Sequence, residues 1–152
     1  MNTEFKPVNA GDLDALAAFA REYHEHDQLH TDPAVVRGVL AALLDAPSLG
    51  RAWFVCVDGA PVGYVVVTRG FSIEHSGPSA CVDELYVRPD FRGKGLGATA
   101  MQFVEAECAR EGIRSIQMEV EPRNDAAHDF YLAAGYVDLG RTLMIKLLPS
   151  KA

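Results

Sequence analysis

Apolar residues recur along this chain with two different periods, and the change of period outlines the elements. Residues 13–23 and 33–44 repeat them every three or four positions, which predicts two amphipathic helices. Residues 51–57 and 62–68 are instead rich in β-branched and aromatic residues, and Asp58-Gly59 between them is typical of a tight hairpin. The predicted buried stripe of the second helix consists of Val35, Val36, Val39, Leu40, Leu43 and Leu44.

The second half of the chain alternates between strand-like and helical patterns. A strand at residues 80–87, a helix at 95–111 and a strand at 115–120 predict a crossover unit, in which the two strands are parallel and the connection is right-handed. Residues 124–134 predict a short helix that begins after an asparagine cap. Residues 136–148 predict one or two closing strands.

The length and composition fit one folded domain with a small-molecule partner. The chain has 152 residues, of which 49% are apolar and 23% charged, so it can build a core and is not disordered. With a further short strand at residues 5–8, we predict a single α/β domain over residues 1–152, with a mixed, mostly antiparallel twisted sheet of six to seven strands and about four flanking helices. The net charge of −7 argues against nucleic-acid binding and favours a cationic partner.

Metal, disulfide and membrane signals are absent from the sequence. The three cysteines are widely spaced and form no C-x-x-C pair, which argues against a disulfide framework or a zinc site. The H-E-H sequence at residues 24–26 does not match the H-E-x-x-H zinc pattern. No basic stretch followed by an apolar one begins the chain, and no apolar run is long enough to span a bilayer. We therefore predict a cytoplasmic protein with no metal and no membrane partner.

The segment RPDFRGKGLGATAM places glycines and basic residues directly before the third predicted helix. The first N–H groups of a helix are unpaired and lie at the positive end of its dipole, so they can hold an anion. Gly93, Gly95 and Gly97 lack the Cβ atoms that would block a phosphate, and Arg92 and Lys94 add charged contacts at the rim. This segment predicts a phosphate-binding loop.

Two other phosphate loops compete with this interpretation. The P-loop pattern is absent, but Gly93, Gly95 and Ala98 formally match the dinucleotide pattern, with Glu119 or Glu121 downstream for a ribose. A dinucleotide loop follows its strand almost at once, whereas RPDFR intervenes here, and only one crossover unit is available. An NAD-dependent oxidoreductase is therefore an alternative rather than the preferred function.

Three ordered motifs resemble those of one known family. The loop reads as Q/R-x-x-G-x-G/A from Arg92 to Gly97. VDELYVRPDFRGKGLG is similar to the strand and loop before it, and EVEPRNDAAHDFYLAAGYV resembles a strand, an Asn-led helix and a Tyr-x-x-x-Gly-Tyr ending. The family is the GNAT superfamily of acyl-CoA-dependent N-acetyltransferases. The resemblance implies that the fourth and fifth strands splay apart and that acetyl-CoA lies between them.

The resemblance also implies a cofactor site. The strand backbone would pair with the pantetheine, the loop amides would hold the pyrophosphate, and Asn124 would meet the pantetheine arm. Tyr131 matches the tyrosine that protonates the departing thiolate in many members. The implied cofactor-binding residues are Leu85, Tyr86, Val87, Arg92, Gly93, Lys94, Gly95, Leu96, Gly97, Ala98, Asn124 and Tyr131.

Acetyl transfer to an amine needs a base, because an alkyl ammonium titrates at roughly 10.4. Glu84, acting through a water, is the first candidate and Asp83 is the second, beside Tyr131 as the acid. A regular strand puts Asp83 and Glu84 on opposite faces, so both enter one cleft only if the strand bulges. The backbone N–H of Leu85 or Val87 could stabilise the developing negative charge. Direct attack by the amine is preferred to a covalent enzyme intermediate.

The acceptor is predicted from the charge of the chain and from the resemblance. The sequence DELYV looks like that of the diamine and polyamine branch, and residues 22–32 are rich in acids and histidines. The predicted acceptor-binding residues are Tyr23, His24, Glu25, Asp27, Asp83 and Glu84. The preferred acceptor is a small cationic amine, and a protein lysine or N-terminus is the alternative. A non-catalytic acyl-CoA-binding module stays open as well, and the family resemblance implies that a homodimer is a common assembly.

Overall fold

Five strands and four α-helices make up the computed structural model, which describes residues 1–151. The strands are β1 (Thr3–Pro7), β2 (Gly50–Val57), β3 (Ala60–Ser72), β4 (Gly77–Val87) and β5 (Ser115–Gln117), and the helices are α1 (Leu13–His26), α2 (Pro33–Asp45), α3 (Leu96–Arg110) and α4 (Asp125–Ala133). Two short 3-10 turns cover Ala10–Asp12 and Pro89–Phe91. The chain divides into two units, Met1–Glu119 and the residues from Val120 onward.

The sheet has the mixed, mostly antiparallel topology that the pattern predicts. Its strand order is β1-β2-β3-β4-β5; the first four strands are antiparallel neighbours and β4 pairs with β5 in parallel through α3. The β2–β3 hairpin turns at Asp58 and Gly59, whose φ angles are 50° and 85°. Two successive positive φ angles match the right-handed twist of the flanking strands, which is why Asp-Gly is favoured here. The crossover and the hairpin are both confirmed.

The two faces of the sheet carry separate hydrophobic cores. On one face α1 and α2 pack against alternate residues of the strands, and the buried members of this core are Leu16, Phe19, Ala20, Leu40, Leu43, Ala52, Phe54, Cys56, Tyr64, Val66 and Tyr86. On the other face Leu96 and Ala100, at the start of α3, pack against Val55, Val57, Val62 and Val87. The period of two in the strands sends each neighbouring side chain to the opposite core. Tyr64, Glu84 and Tyr86 therefore belong to the α1 side, and Val87 to the α3 side.

Local capping explains where the first two helices begin. Asn9 and Asp12 form a capping box ahead of α1: the Asn9 side chain accepts from the Gly11 N–H, and Asp12 accepts from the Asn9 N–H, both at 3.0 Å. Asp32 caps α2 by accepting from the Ala34 N–H at 2.9 Å, directly before the proline at the first helical position.

The predicted stripe of α2 is wider than the face that the helix buries. Leu40 and Leu43 are buried and Val36 and Leu44 are partly buried, but Val35 and Val39 are 60% and 62% exposed. The six apolar positions span more of the helix circumference than α1 and β2 can cover, so the prediction was wrong at these two valines. The periodicity identified the helix correctly but not the limits of its contact.

The predicted number of strands was also wrong. The structure describes five strands rather than six to seven, because β5 ends at Gln117 and residues 118–151 contain no strand. The apolar residues of segment 136–148 do predict a strand, but strand propensity depends on a partner with which to pair. The large apolar side chains of this segment are exposed, at Val137, Leu139, Leu143, Met144, Ile145, Leu147 and Leu148.

None of the helices within residues 1–151 combines the length and apolar character needed to cross a bilayer.

Candidate functional site

A β-bulge separates the two acidic residues of β4 from the regular strand alternation. Val66 of β3 lies opposite Glu84, whereas Val67 lies opposite Val82, so Asp83 is an extra residue on β4. Such a bulge breaks the rule that neighbouring side chains alternate between faces. Asp83 is exposed and Glu84 is half-buried. The condition under which both acids could serve one site is therefore met.

The Glu84 carboxylate is held by two side chains from other elements. The Tyr64 hydroxyl of β3 donates to Glu84 Oε1 at 2.9 Å, and His24 Nε2 of α1 lies 2.5 Å from Oε2. Because an ionised carboxylate only accepts, the imidazole donates Nε2–H and its Nδ1 faces Thr31 Oγ1 at 2.8 Å. The side chains of His24 and Glu84 are only 10% and 15% exposed. We call His24, Thr31, Tyr64 and Glu84 the carboxylate cluster.

The electrostatics of the carboxylate cluster keep the Tyr64 hydroxyl protonated. Burial is the main cause that raises the pKa of Tyr64, and the charge of Glu84 and its hydrogen bond raise that pKa further. The charge of Asp83 contributes in the same direction, so the exposed acid acts on the same region. A phenol that keeps its proton is a permanent donor, and it fixes one carboxylate oxygen.

A salt bridge places α1 over the end of β4. The Arg88 guanidinium donates to both oxygens of Glu22, at 2.9 and 2.7 Å, and lies 4.4 Å over the Phe19 ring. This hydrogen bond lowers the pKa of Glu22 and so keeps the pair charged. The bidentate contact fixes the last turns of α1 against the sheet, and His24 therefore reaches Glu84.

The acceptor residues predicted on α1 do not all meet at this point. His24 joins Glu84, and the Tyr23 ring lies 5.6 Å from the Tyr86 ring between centroids. Glu25 instead pairs with Arg21 on the helix surface, and Asp27 pairs with the neighbouring His26, both at 2.9 Å.

Two members of the carboxylate cluster were not anticipated from the sequence. Tyr64 lies within a run of valines, and Thr31 precedes a helix cap. Neither position carries a signal in the pattern, because both contacts join residues that are far apart in the sequence or on different elements.

One edge of β4 is left without a strand partner. β5 pairs only with residues 79–81, so among the described residues no strand pairs with this edge from Val82 to Val87. The Arg88 N–H donates to the Val62 carbonyl at 2.9 Å, and peptide groups of an antiparallel strand alternate in direction. Leu85 and Val87 therefore direct their N–H and C=O groups to the open edge, whereas Tyr86 bonds to β3. Because β5 ends at Gln117, with all three of its residues paired to β4, the splaying of the fourth and fifth strands stays a prediction.

The glycine loop begins α3 with exposed main chain. Gly93 and Gly95 have φ angles of 74° and 78°, which glycine adopts without strain, and a Cβ built at either position would meet nothing within 4 Å. α3 starts at Leu96 without a side-chain cap, and the buried Leu96 side chain anchors it to the core. The first N–H groups of α3 are thus presented at an open surface.

The basic residues of the loop differ in their use. Arg92 Nε donates to the Val87 carbonyl at 2.7 Å, and its guanidinium also donates to His26 Nε2 at 3.2 Å. Lys94 Nζ lies 5.2 Å over the Phe91 ring. The Arg92 side chain therefore ties the loop to β4 and α1, while Lys94 stays at the loop rim.

Asn124 and Tyr131 belong to the unit that begins at Val120. Asn124 caps α4, where its Oδ1 accepts from the Ala127 N–H at 3.1 Å and leaves the Nδ2 amide available. The Tyr131 ring contacts the rings of Phe130 and Tyr136, with centroids 5.0 and 5.7 Å away. Burial raises the pKa of Tyr131, so its hydroxyl holds its proton through the neutral range.

The cysteines show no activation. All three are free thiols, and burial raises the pKa of each, which favours the unreactive protonated form. Within residues 1–151, no three His, Cys, Asp or Glu side chains are grouped so that they could hold a metal ion.

Comparison with known proteins gives the family. Residues 13–136 match the model of the acetyltransferase (GNAT) family. The chain is 30% identical over 146 residues to the bovine (Bos taurus) thialysine N-epsilon-acetyltransferase, covering 88% of this chain and 84% of that protein. It is 33% identical over 87 residues to an uncharacterised N-acetyltransferase of Methanocaldococcus jannaschii, which covers 55% of this chain and only 38% of the archaeal protein.

A solved structure matches nearly the whole chain. It is an integron cassette protein from the mobile metagenome of Cole Harbour Salt Marsh, with a TM-score of 0.83, 33% identity and coverage of 97% of this chain and 91% of that one. The family that the motifs resemble is thereby confirmed, and acetyl-CoA is the acyl donor of that family. The chain belongs to the acetyltransferase (GNAT) family.

Proposed function

We propose that the protein transfers an acetyl group from acetyl-CoA to a primary amine, by direct attack within a ternary complex. The observation that carries this proposal is the composition of β4. One short stretch of chain holds the buried Glu84, the open peptide edge of Leu85 and Val87, and then leads into the glycine loop. A base, a surface for an extended ligand and a phosphate cradle thus follow one another along the chain.

The glycine loop and the β4 edge fit the donor. Gly93 and Gly95 leave open space where side chains would block a diphosphate, and the amides of Leu96, Gly97 and Ala98 begin a helix. Leu85 and Val87 offer peptide groups to the pantetheine; because the Val87 carbonyl accepts from Arg92, its N–H is the group that faces a ligand. Acetyl-CoA, when bound, supplies an acetyl group activated as a thioester.

Glu84 is proposed as the general base. Its two oxygens are oriented by Tyr64 and His24, and each oxygen retains a second lone pair that can accept a proton from the amine through a water. Asp83 places a second negative charge in the exposed bulge and attracts the ammonium form of the acceptor. The N–H groups of Leu85 and Val87 are the donors available to negative charge that develops at the edge.

Tyr131 is proposed as the acid and Asn124 as a ligand of the pantetheine arm. Burial raises the pKa of Tyr131, so the hydroxyl is protonated before the reaction, as a proton donor must be. The capping bond of Asn124 uses only its oxygen, and the amide group remains for a ligand. Both residues match the family motif in EVEPRNDAAHDFYLAAGYV.

A small cationic amine is the proposed acceptor. The net charge of −7 and the exposed Asp83 beside Glu84 favour a cation over an anion or a neutral molecule. The name of the bovine relative, a thialysine N-epsilon-acetyltransferase, supports a primary amine at the end of a short chain. Cytoplasmic location and a homodimer remain predictions, which cell fractionation and sedimentation would check.

A thiol-release assay tests the proposed function. Wild-type protein is mixed with acetyl-CoA and a panel of diamines, polyamines, lysine, thialysine and a lysine-containing peptide, and free CoA is measured. We expect release with the small cationic amines and little with the peptide. Tight acetyl-CoA binding without turnover on any amine would indicate a binding module. Thermal protection by NAD but not by acetyl-CoA would favour the oxidoreductase.

A further inference from the structure

The two nitrogens of His24 face different surroundings. Nε2 lies against the buried Glu84 carboxylate at 2.5 Å, whereas Nδ1 lies 2.8 Å from Thr31 Oγ1. Thr31 and His24 line a small solvent-open hollow between α1 and α2, together with Leu29 and Val36. The imidazole therefore separates the candidate base from a second route to solvent.

The chain reversal after α1 builds this arrangement. Gln28 has a φ of 56°, and the Leu29 N–H donates to the His24 carbonyl at 2.8 Å, which closes the helix and turns the chain back. Asp32 then starts α2, so Thr31 is fixed between two helix ends and its hydroxyl meets Nδ1. A hydroxyl can donate to a bare Nδ1 or accept from a protonated one, so this contact survives in both states.

The distance between His24 and Glu84 limits the number of protons that they hold. A separation of 2.5 Å requires one proton between Oε2 and Nε2, and the pair then carries a charge of −1 when Nδ1 is bare. A further proton at Nδ1 makes an imidazolium beside the carboxylate. A positive charge at this distance stabilises the ionised carboxylate and weakens it as a base.

We propose that His24 is a positioning residue of the acetyl transfer: it orients Glu84 through Nε2–H, and it takes up a proton at Nδ1 on the hollow side, which switches the base off. This inference rests on the proposed function, because it assigns Glu84 the role of base. In this proposal the hollow is the route by which protons reach Nδ1 without crossing the acceptor side of Glu84.

The groups that face His24 decide how the switch responds to pH. From its own helix these are Arg21, Tyr23 and Glu25, of which Arg21 and Glu25 pair with each other at 2.9 Å. From the sheet they are Tyr64 and Glu84, with Asp83 as the next acid along β4. Because Arg21 and Glu25 offset each other, Glu84 provides the dominant charge at the imidazole.

Replacing His24 by glutamine separates orientation from titration. His24→Gln keeps an amide donor for Glu84 but removes the group that takes up a proton. An imidazole takes up its proton at higher pH than a carboxylate does. We therefore expect the acidic limb of the pH profile of kcat/KM to move down by about one pH unit or more, with a loss of less than about tenfold in plateau rate. His75→Gln, at the β3–β4 turn, is the matched control and should change neither.

The outcomes of this experiment distinguish the two proposals. Wild-type protein that acetylates no amine contradicts the proposed function. If wild-type protein acetylates an amine but the acidic limb of the kcat/KM profile does not move in His24→Gln, only the role of His24 is contradicted. A limb that moves in His75→Gln as well would also contradict that role.

Proton uptake at His24 can also be observed directly, without measuring turnover. NMR spectra are recorded on protein labelled with ¹⁵N-histidine. The other four of the five histidines are replaced one at a time, and the ring signals that no replacement removes are those of His24. We expect the Nε2–H tautomer at high pH and protonation of Nδ1 as the pH falls, with a midpoint that changes in Glu84→Gln. The opposite tautomer, or the same midpoint in Glu84→Gln, would overturn the inference.

Discussion

The glycine loop and Glu84 of the carboxylate cluster lie at opposite ends of one short stretch of chain, but the loop and the cluster are built from different groups. The loop consists of main chain: Gly93 and Gly95 have positive φ angles, and their missing side chains leave open space. The cluster consists of side chains from α1, β3, β4 and the segment before α2, and the side chains of His24 and Glu84 are only 10% and 15% exposed. CoA binding at the loop should therefore be sensitive to changes in backbone conformation, whereas the rate of acetyl transfer should be sensitive to the change of single atoms in the cluster.

The largest expected effect is in the cluster. Glu84→Gln keeps the size of the side chain and the bond from Tyr64, but removes the charge that accepts a proton. We expect kcat to fall by about 10²–10⁴-fold, the usual contribution of a general base. Steady-state rates with a small diamine measure this, and Glu4→Gln on β1 is the matched control. A fall in both variants, or in neither, would show that Glu84 is not the base.

The next largest effect is expected in the loop, and it is measured with the two glycines that flank α3. Gly95 and Gly112 flank the helix with φ angles of 78° and 77°, and neither has an atom within 4 Å of an added Cβ. Alanine at either position should cost about 1–2 kcal/mol of stability from the left-handed conformation. Only Gly95→Ala should also weaken CoA binding, by about tenfold or more, because it disturbs charge-assisted bonds worth about 1.5–3 kcal/mol each.

Urea denaturation and calorimetry with CoA separate these two consequences. Equal losses of stability with unequal losses of affinity would support the loop as the phosphate site. Equal affinities in Gly95→Ala and Gly112→Ala would refute it.

The smallest effect concerns the pH dependence of stability at Tyr64. Burial raises its pKa above the ordinary value of 10.0, so the folded state keeps the proton when the unfolded chain loses it. The contribution of Tyr64 is then complete below about pH 10 and is lost as the pH rises further. The stability advantage of wild type over Tyr64→Phe should shrink above pH 10, by at most about 1.4 kcal/mol per pH unit. Urea denaturation from pH 8 to 11 measures it, and a constant advantage would contradict the burial of the hydroxyl.

The same contrast explains what could be predicted from the sequence. The loop is contiguous in the sequence. Its glycines, Gly93 and Gly95, indicate a backbone that needs positive φ angles or a missing side chain, and this can be recognised without a structure. The capping box of Asn9 and Asp12 and the Asp58-Gly59 turn are local for the same reason. Local geometry is determined by a few neighbouring residues, so features of this kind can be recognised in the sequence.

Features that depend on distant partners were not determined. The bulge at Asp83 arises from a register shift against β3, so the sequence could only state what a bulge would permit. Tyr64 and Thr31 have meaning only once His24 and Glu84 are brought together. The apolar residues of segment 136–148 suit a strand, but they do not supply a partner strand.

The most direct test of this account is a single turnover with the donor at saturating concentration. Acetyl transfer to a diamine would be followed in wild type, Gly95→Ala and Glu84→Gln, each with enough acetyl-CoA to fill the protein. The account predicts that Gly95→Ala recovers most of the wild-type rate, because only binding is weakened, while Glu84→Gln stays at least about 100-fold slower. A wild-type rate in Glu84→Gln, or a slow rate in saturated Gly95→Ala, would contradict the division between a base and a phosphate cradle.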